Sequence, residues 1–175
     1  MTGEDTVSIL IVDDDPNLRR TLSDILNAKG YETLAAKNGG EGLIMLKERA
    51  FNLMLIDLKL PDIHGLDVLV RVKESSPFTE AIVLTGNATL EYAIEATNRG
   101  AFSFIQKPYD IDQLLMHIRH AVEKQRAEQE LRRQLHEVER LNKLMVGREL
   151  KMEEMRERVR ELEREVANLR SHVTP

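Results

Sequence analysis

Two hydrophobic rhythms divide the chain. Up to about Val122, short β-branched and apolar runs alternate with segments whose apolar residues recur every three to four positions. Residues 8–12, 31–36, 53–56, 81–84 and 103–105 read as strands, and Leu18-Leu22-Ile25-Leu26 and Leu66-Leu69-Val72 mark amphipathic helices between them. The punctuation agrees. Pro16 stands where a first helical residue tolerates proline, Asp14 or Asp15 precedes it as a cap, and Gly30 closes the same helix. This alternation predicts an α/β fold with a doubly wound, five-stranded parallel sheet.

Beyond Val122 the residues become Glu, Arg, Lys and Leu, with no proline before Pro175 and a single glycine, Gly147. Met155, Val159, Leu162, Val166, Leu169 and Val173 step by 4, 3, 4, 3 and 4, the alternation of a coiled-coil seam. Val at a with Leu at d predicts a parallel homodimer. Residues 123–130 hold only Ala127 as an apolar residue and read as a solvated, polar helical connector ahead of a coiled coil over 131–173. If Leu131 is d, then Leu135 is a and Val138, Met145 and Met152 are d. Counting back from Met155 at d makes those last three a, with Leu141 in the seam. The two phases differ, which predicts a register break near 138–155, either a three-residue stammer or a helix break at Gly147.

Composition narrows the function classes. At 175 residues with 42% hydrophobic content, the chain can bury one ordinary core plus an appendage. A net charge of -5 and no concentrated basic face give no nucleic-acid motif. Without cysteine there is no disulfide, thiolate metal site or thiol nucleophile. The start, Met1-Thr2-Gly3-Glu4-Asp5, lacks an apolar leader, and no run approaches a membrane span, so cytoplasmic residence is the default expectation.

The candidate chemistry sits where the apolar runs stop. Ile9-Leu10-Ile11-Val12 ends in Asp13-Asp14-Asp15, Leu53-Met54-Leu55-Ile56 in Asp57, and Ala81-Ile82-Val83-Leu84 in Thr85, while Phe102-Ser103-Phe104-Ile105 runs into Lys107-Pro108. Open α/β sheets bind ligands at the carboxyl ends of their strands. Those ends would gather carboxylates, a hydroxyl and an ammonium into one crevice suited to a divalent cation and a phosphoryl group. Asp15 reads as a helix cap. Asn38-Gly39-Gly40-Glu41-Gly42 lacks the Lys-Ser/Thr of a phosphate loop and reads as a turn before a helix. His136-Glu137 opens no H-E-x-x-H motif, and His64, His117, His120 and His172 take surface or packing roles by default.

Asp13 and Asp14 after the first strand, Asp57 after the third, Thr85 after the fourth and Lys107-Pro108 after the fifth together resemble the receiver domain of bacterial two-component response regulators, over residues 6–122. The stretch 57–65 reproduces that family's D-x-x-x-P-x-x-x-G loop. The resemblance implies a flavodoxin-like receiver, not an enzyme in its own right, with Asp57 as phosphoacceptor. It implies Mg²⁺ held by Asp14 and Asp57, by Asp13 through water and by the backbone carbonyl of Lys59. It further implies Thr85 and Lys107 as donors to the phosphoryl oxygens, and Thr85 with Phe104 as the switch pair. A sensor histidine kinase or phosphotransfer protein is the implied partner. Lys59 and Asn87 would flank the path of an attacking water without offering a carboxylate, which implies slow loss of the phosphoryl group.

A haloacid-dehalogenase-like phosphatase using Asp13 and Asp15 is the rival, with Thr85 and Lys107 as its later elements. Against it, Pro16-Asn17 replaces the expected small residues, no second acidic pair follows Lys107, and Asp57 is left without a role. No helix-turn-helix, cyclase, ATPase or kinase motif follows the receiver, so the coiled coil is either the output itself or the signalling helix of a larger hybrid protein.

Overall fold

The computed structural model describes residues 6–86 and 89–171, with side chains to residue 168. Residues 1–5, Asn87, His172, Val173 and the side chain of Leu169, all drawn on above, lie outside the described residues. Strands β1 (Ser8–Val12), β2 (Glu32–Ala36), β3 (Leu53–Asp57), β4 (Glu80–Thr85) and β5 (Ser103–Gln106) form one parallel sheet in the order β2-β1-β3-β4-β5. Helices α1 (Pro16–Ala28), α2 (Gly39–Glu48), α3 (Gly65–Ser75), α4 (Leu90–Asn98) and α5 (Ile111–Ser171) follow the strands in turn. This is the doubly wound, flavodoxin-like order, with its switch point between β1 and β3.

The period-2 alternation of each central strand sorts its side chains between two cores. Leu10, Val12, Met54, Ile56 and Val83 pack with residues of α2, α3 and α4 on one face. Ile9, Ile11, Leu53, Leu55, Ile82 and Leu84 pack with Leu22 and Leu26 of α1 and Leu114 and Ile118 of α5 on the other. Burial on both faces explains why β1, β3 and β4 read as unbroken apolar runs. The edge strand β2 is half exposed and starts one residue later than its sequence predicts. Tyr31 donates its N–H to the Leu26 carbonyl and belongs to the turn that ends α1. Gly30 holds a φ of 88° in that turn, a conformation that favours glycine.

The glycine-rich run after β2 is helix rather than turn. α2 begins at Gly39, Asn38 accepts the Glu41 N–H at 2.8 Å, and Asp62 accepts the N–H groups of Gly39 and Gly40 at 2.9 and 2.7 Å. A long-range carboxylate thus caps the first turn, which glycine alone would hold poorly.

The chain divides into two compact units, Met1–Ala127 and Glu128–Pro175. The first extends into the stretch expected to be a solvated connector, because Gln125 is 3% exposed. Its amide donates to the carbonyls of Asn52 and Phe78 at 3.0 and 2.5 Å and accepts from the Asn52 amide at 2.9 Å. Beside it, Lys124 and Lys73 flank the buried Glu80. In the second unit α5 continues as helix through Gly147, so no helix break occurs there, and Met155, Val159, Leu162 and Val166 are exposed along it. Among the described residues no helix is long and apolar enough to cross a membrane.

Candidate functional site

The carboxyl ends of β1, β3, β4 and β5 bring the chemistry together. Asp13, one residue past β1, continues the ladder by donating its N–H to the Ala36 carbonyl, and its side chain is buried. Its Oδ1 accepts the Asp15 N–H at 2.9 Å, and Arg19 donates to its main-chain carbonyl at 2.6 Å. Asp57 is the last residue of β3, and its Oδ1 accepts the Lys59 N–H at 3.0 Å. Lys107 Nζ donates to Asp13 Oδ2 and Asp57 Oδ2, both at 2.6 Å. Thr85 ends β4 and is buried, and its carbonyl accepts the Lys107 N–H at 2.8 Å. Asp14 is exposed and completes a group of three carboxylates, Asp13, Asp14 and Asp57, whose oxygens lie within 4.8 Å of one another.

Three carboxylates, two of them paired with the one ammonium, leave the crevice anionic. Burial draws the Lys107 pKa down, but the hydrogen bonds it donates to Asp13 and Asp57 and their charges outweigh it, so the ammonium holds its proton above the ordinary lysine range. Two paired acids and one exposed acid, all hard oxygen donors, fit a small divalent cation. Close packing fixes the loop after Asp57. A Cβ on Gly65 would lie 2.3 Å from the Asp57 carbonyl oxygen and 2.7 Å from Leu58 Cα, so only glycine lets α3 start that close to the site.

Phe104 stands on β5 opposite Val83 and packs, half-buried, against the core on the α2–α4 face. The sheet therefore brings together Asp13, Asp14, Asp57, Thr85 and Lys107, with Phe104 on the neighbouring strand. Asp15 is not among the clustered acids. Its Oδ1 accepts the N–H groups of Asn17 and Leu18, which spends on capping the second acid that the phosphatase reading needs.

Three neighbours were not legible beforehand. Arg19 reaches back six residues to the Asp13 carbonyl. Tyr109 buries its hydroxyl without a hydrogen-bond partner among the described residues, and burial pushes that phenol above its ordinary pKa, the charges of Lys107, Asp13 and Asp57 acting on it as well. His64 caps α3 through Nδ1, which accepts the Leu66 N–H, and its ring stacks on Tyr92 of α4 at 6.3 Å. Its position just before the loop glycine was the one available signal, since histidine is an uncommon cap.

Residues 9–119 match the family model of the response regulator receiver domain. The regulatory protein AtoC of Escherichia coli (strain K12) is 35% identical over 124 residues, covering 71% of this chain and 27% of that protein. The nitrogen assimilation regulatory protein NtrX of Azorhizobium caulinodans is 32% identical over 152 residues, 85% of this chain and 33% of that one. The chain thus spans about a quarter to a third of the length of these relatives. Among solved structures, a CheY-like response regulator receiver domain protein from Methanospirillum hungatei JF-1 superposes with a TM-score of 0.68 at 37% identity, covering 70% of this chain and 98% of that one. A sheet of this order, an acid cluster bridged by a lysine at its carboxyl edge and a family match over residues 9–119 have one reading: the chain belongs to the response regulator receiver domain family of two-component signalling.

Proposed function

We propose that Asp57 accepts a phosphoryl group from a sensor histidine kinase or phosphotransfer protein, and that the C-terminal helix, paired in parallel with a second copy, carries the resulting signal. The observation behind the first part is Lys107 held at 2.6 Å from both Asp13 and Asp57. An Asp57 carboxylate oxygen forms the new P–O bond as the P–N bond to the donor imidazole breaks, and the leaving nitrogen takes up a proton. Thr85 Oγ1 and Lys107 Nζ donate to the phosphoryl oxygens, so charge that develops in transfer meets hydrogen-bond donors. Thr85 moving toward the phosphoryl group leaves room for the Phe104 ring to turn inward. Asp14, Asp57 and the Lys59 carbonyl, with Asp13 through water, would hold Mg²⁺, which supplies positive charge between two anions that otherwise repel.

Neither Lys59 nor Asn87 offers a carboxylate to activate water, so the acyl phosphate is long-lived and a partner ends the signal. Intact mass spectrometry after incubation with acetyl phosphate and Mg²⁺ should register one added phosphoryl group, absent with chelator and absent in Asp57→Asn. That adduct should outlast minutes and be indifferent to Lys59→Ala. An adduct that survives in Asp57→Asn rejects the assignment, and decay within seconds rejects the lifetime.

A further inference from the structure

The apolar stripe of α5 changes its charged edging along its length. A groove floored by Leu144, Gly147, Met152 and Met155 is edged by Lys143, Arg148 and Lys151, and the next one, over Met155 and Val159, by Arg156 and Arg160. Only further on, over Leu162 and Val166, does an acid, Glu163, line the stripe.

This polarity decides what each stretch can hold. Carried back from Met155 at d, the downstream register puts Arg148 at d, Lys151 and Arg158 at g, and Glu149, Arg156 and Glu163 at e. In parallel pairing a g residue meets the following e residue of the other helix. Arg158 then meets Glu163 of the second copy, an attractive pair made twice. Lys151 meets Arg156 of the second copy, a repulsive pair made twice, and Arg148 meets its own counterpart inside the seam. Between 144 and 156, Glu149 is the one acid at a seam or flanking position. Residues 158–166 suit a second copy of this chain, whereas 143–156 are mismatched to themselves.

The same stretch carries apolar surface that a two-stranded coil cannot cover. Leu144, Val146 and Leu150 are 61%, 56% and 63% exposed, and in this register they occupy g, b and f. With Leu141, Met145 and Met152 in the seam, apolar residues fall on more than one side of the helix here, between the charged residues, which is more apolar surface than one partner helix covers.

We propose that residues 141–156 are the docking surface for an acidic amphipathic helix of another protein, while residues 158–166 hold the second copy. The proposal rests on the parallel register of the self-pairing reading. A guest helix with apolar residues every three to four positions would fill the groove over Leu144, Gly147 and Met152 and set its carboxylates against Lys143, Arg148 and Lys151.

The test uses the full chain and a fluorescent synthetic peptide with leucine at a and d and glutamate at e and g, beside a control peptide with lysine at e and g. Anisotropy should register binding of the glutamate peptide alone, weakening as salt is raised. The double variant Arg148→Glu, Lys151→Glu should lose about tenfold or more in affinity, whereas Arg158→Glu should leave peptide affinity unchanged. Equal binding of the lysine peptide, or indifference to the double reversal, overturns the proposal. Light scattering on the free chain separates it from the self-pairing reading. A dimer that ignores the glutamate peptide removes the docking proposal alone, and a monomer removes the self-pairing reading and, with it, the register on which the docking proposal rests.

Discussion

Asp14 shows what a receptive anionic site does to the fold that carries it. Its carboxylate lies within 4.8 Å of two others, yet Lys107 pairs with Asp13 and Asp57 and not with it. Two unit charges at that separation repel by about 1 kcal/mol even at the dielectric of water. In chelator, Asp14→Asn should therefore raise the thermal midpoint relative to the parent. With Mg²⁺ present the order should reverse, because the parent gains binding energy that the variant forfeits. A variant less stable than the parent in chelator would show that Asp14 is a structural acid and not a metal-site acid. The acids, Thr85 and Lys107 were legible because strand ends converge on one sheet edge, whatever the helices do. Arg19 and Tyr109 were not, since a guanidinium reaching a main-chain carbonyl and a phenol turned inward leave no period in the chain.

At the scale of elements, the hydrophobic rhythm located every strand and the first and third helices, because burial of the central strands on two faces and of one helix stripe writes itself directly into composition. It failed where a contact came from far away. The run 38–42 reads as a turn by its own glycines and becomes helix only because Asp62, across the sheet edge, accepts two of its N–H groups. Hydrogen bonding from Gly40 N–H lowers the Asp62 pKa most, partial burial opposes it, and Gly39 N–H adds to the lowering. A carboxyl whose folded pKa is depressed stabilises the fold fully above the ordinary aspartate range and loses that contribution as pH falls through the folded value. Asp62→Ala should thus lower the thermal midpoint at neutral pH, with the gap to the parent closing as pH is lowered through the acid range. A gap that stays constant with pH would assign the effect to lost packing instead of the capping charge.

For the whole molecule, two units of different character were legible from composition alone, whereas their boundary was not. Gln125 looks like one more polar residue in a charged helix, and nothing local reveals that its amide closes against Asn52 and Phe78. The assembly expectation belongs at this scale too. Because the chain has no cysteine, Leu162→Cys tests parallel in-register pairing cleanly. Rapid same-residue disulfide formation on mild oxidation is the expected result, and a chain that stays reduced would require another arrangement of the helices.

The amide pair of Gln125 and Asn52 also separates two notions of where a receiver ends. The family match stops at residue 119, but a chain cut there would lose Lys124 and Gln125 together. Glu80 would keep a single lysine, and the carbonyls of Asn52 and Phe78 would lose a donor at the amino edge of the sheet. The Asn52 carbonyl would keep the Glu80 N–H, so the loss is of hydrogen bonds worth roughly 0.5–1.5 kcal/mol each, together a noticeable share of a small domain's margin. Transplanting this receiver onto another output would therefore need the graft point placed after Ala127, where the compact unit closes, and not at the last residue of the family match.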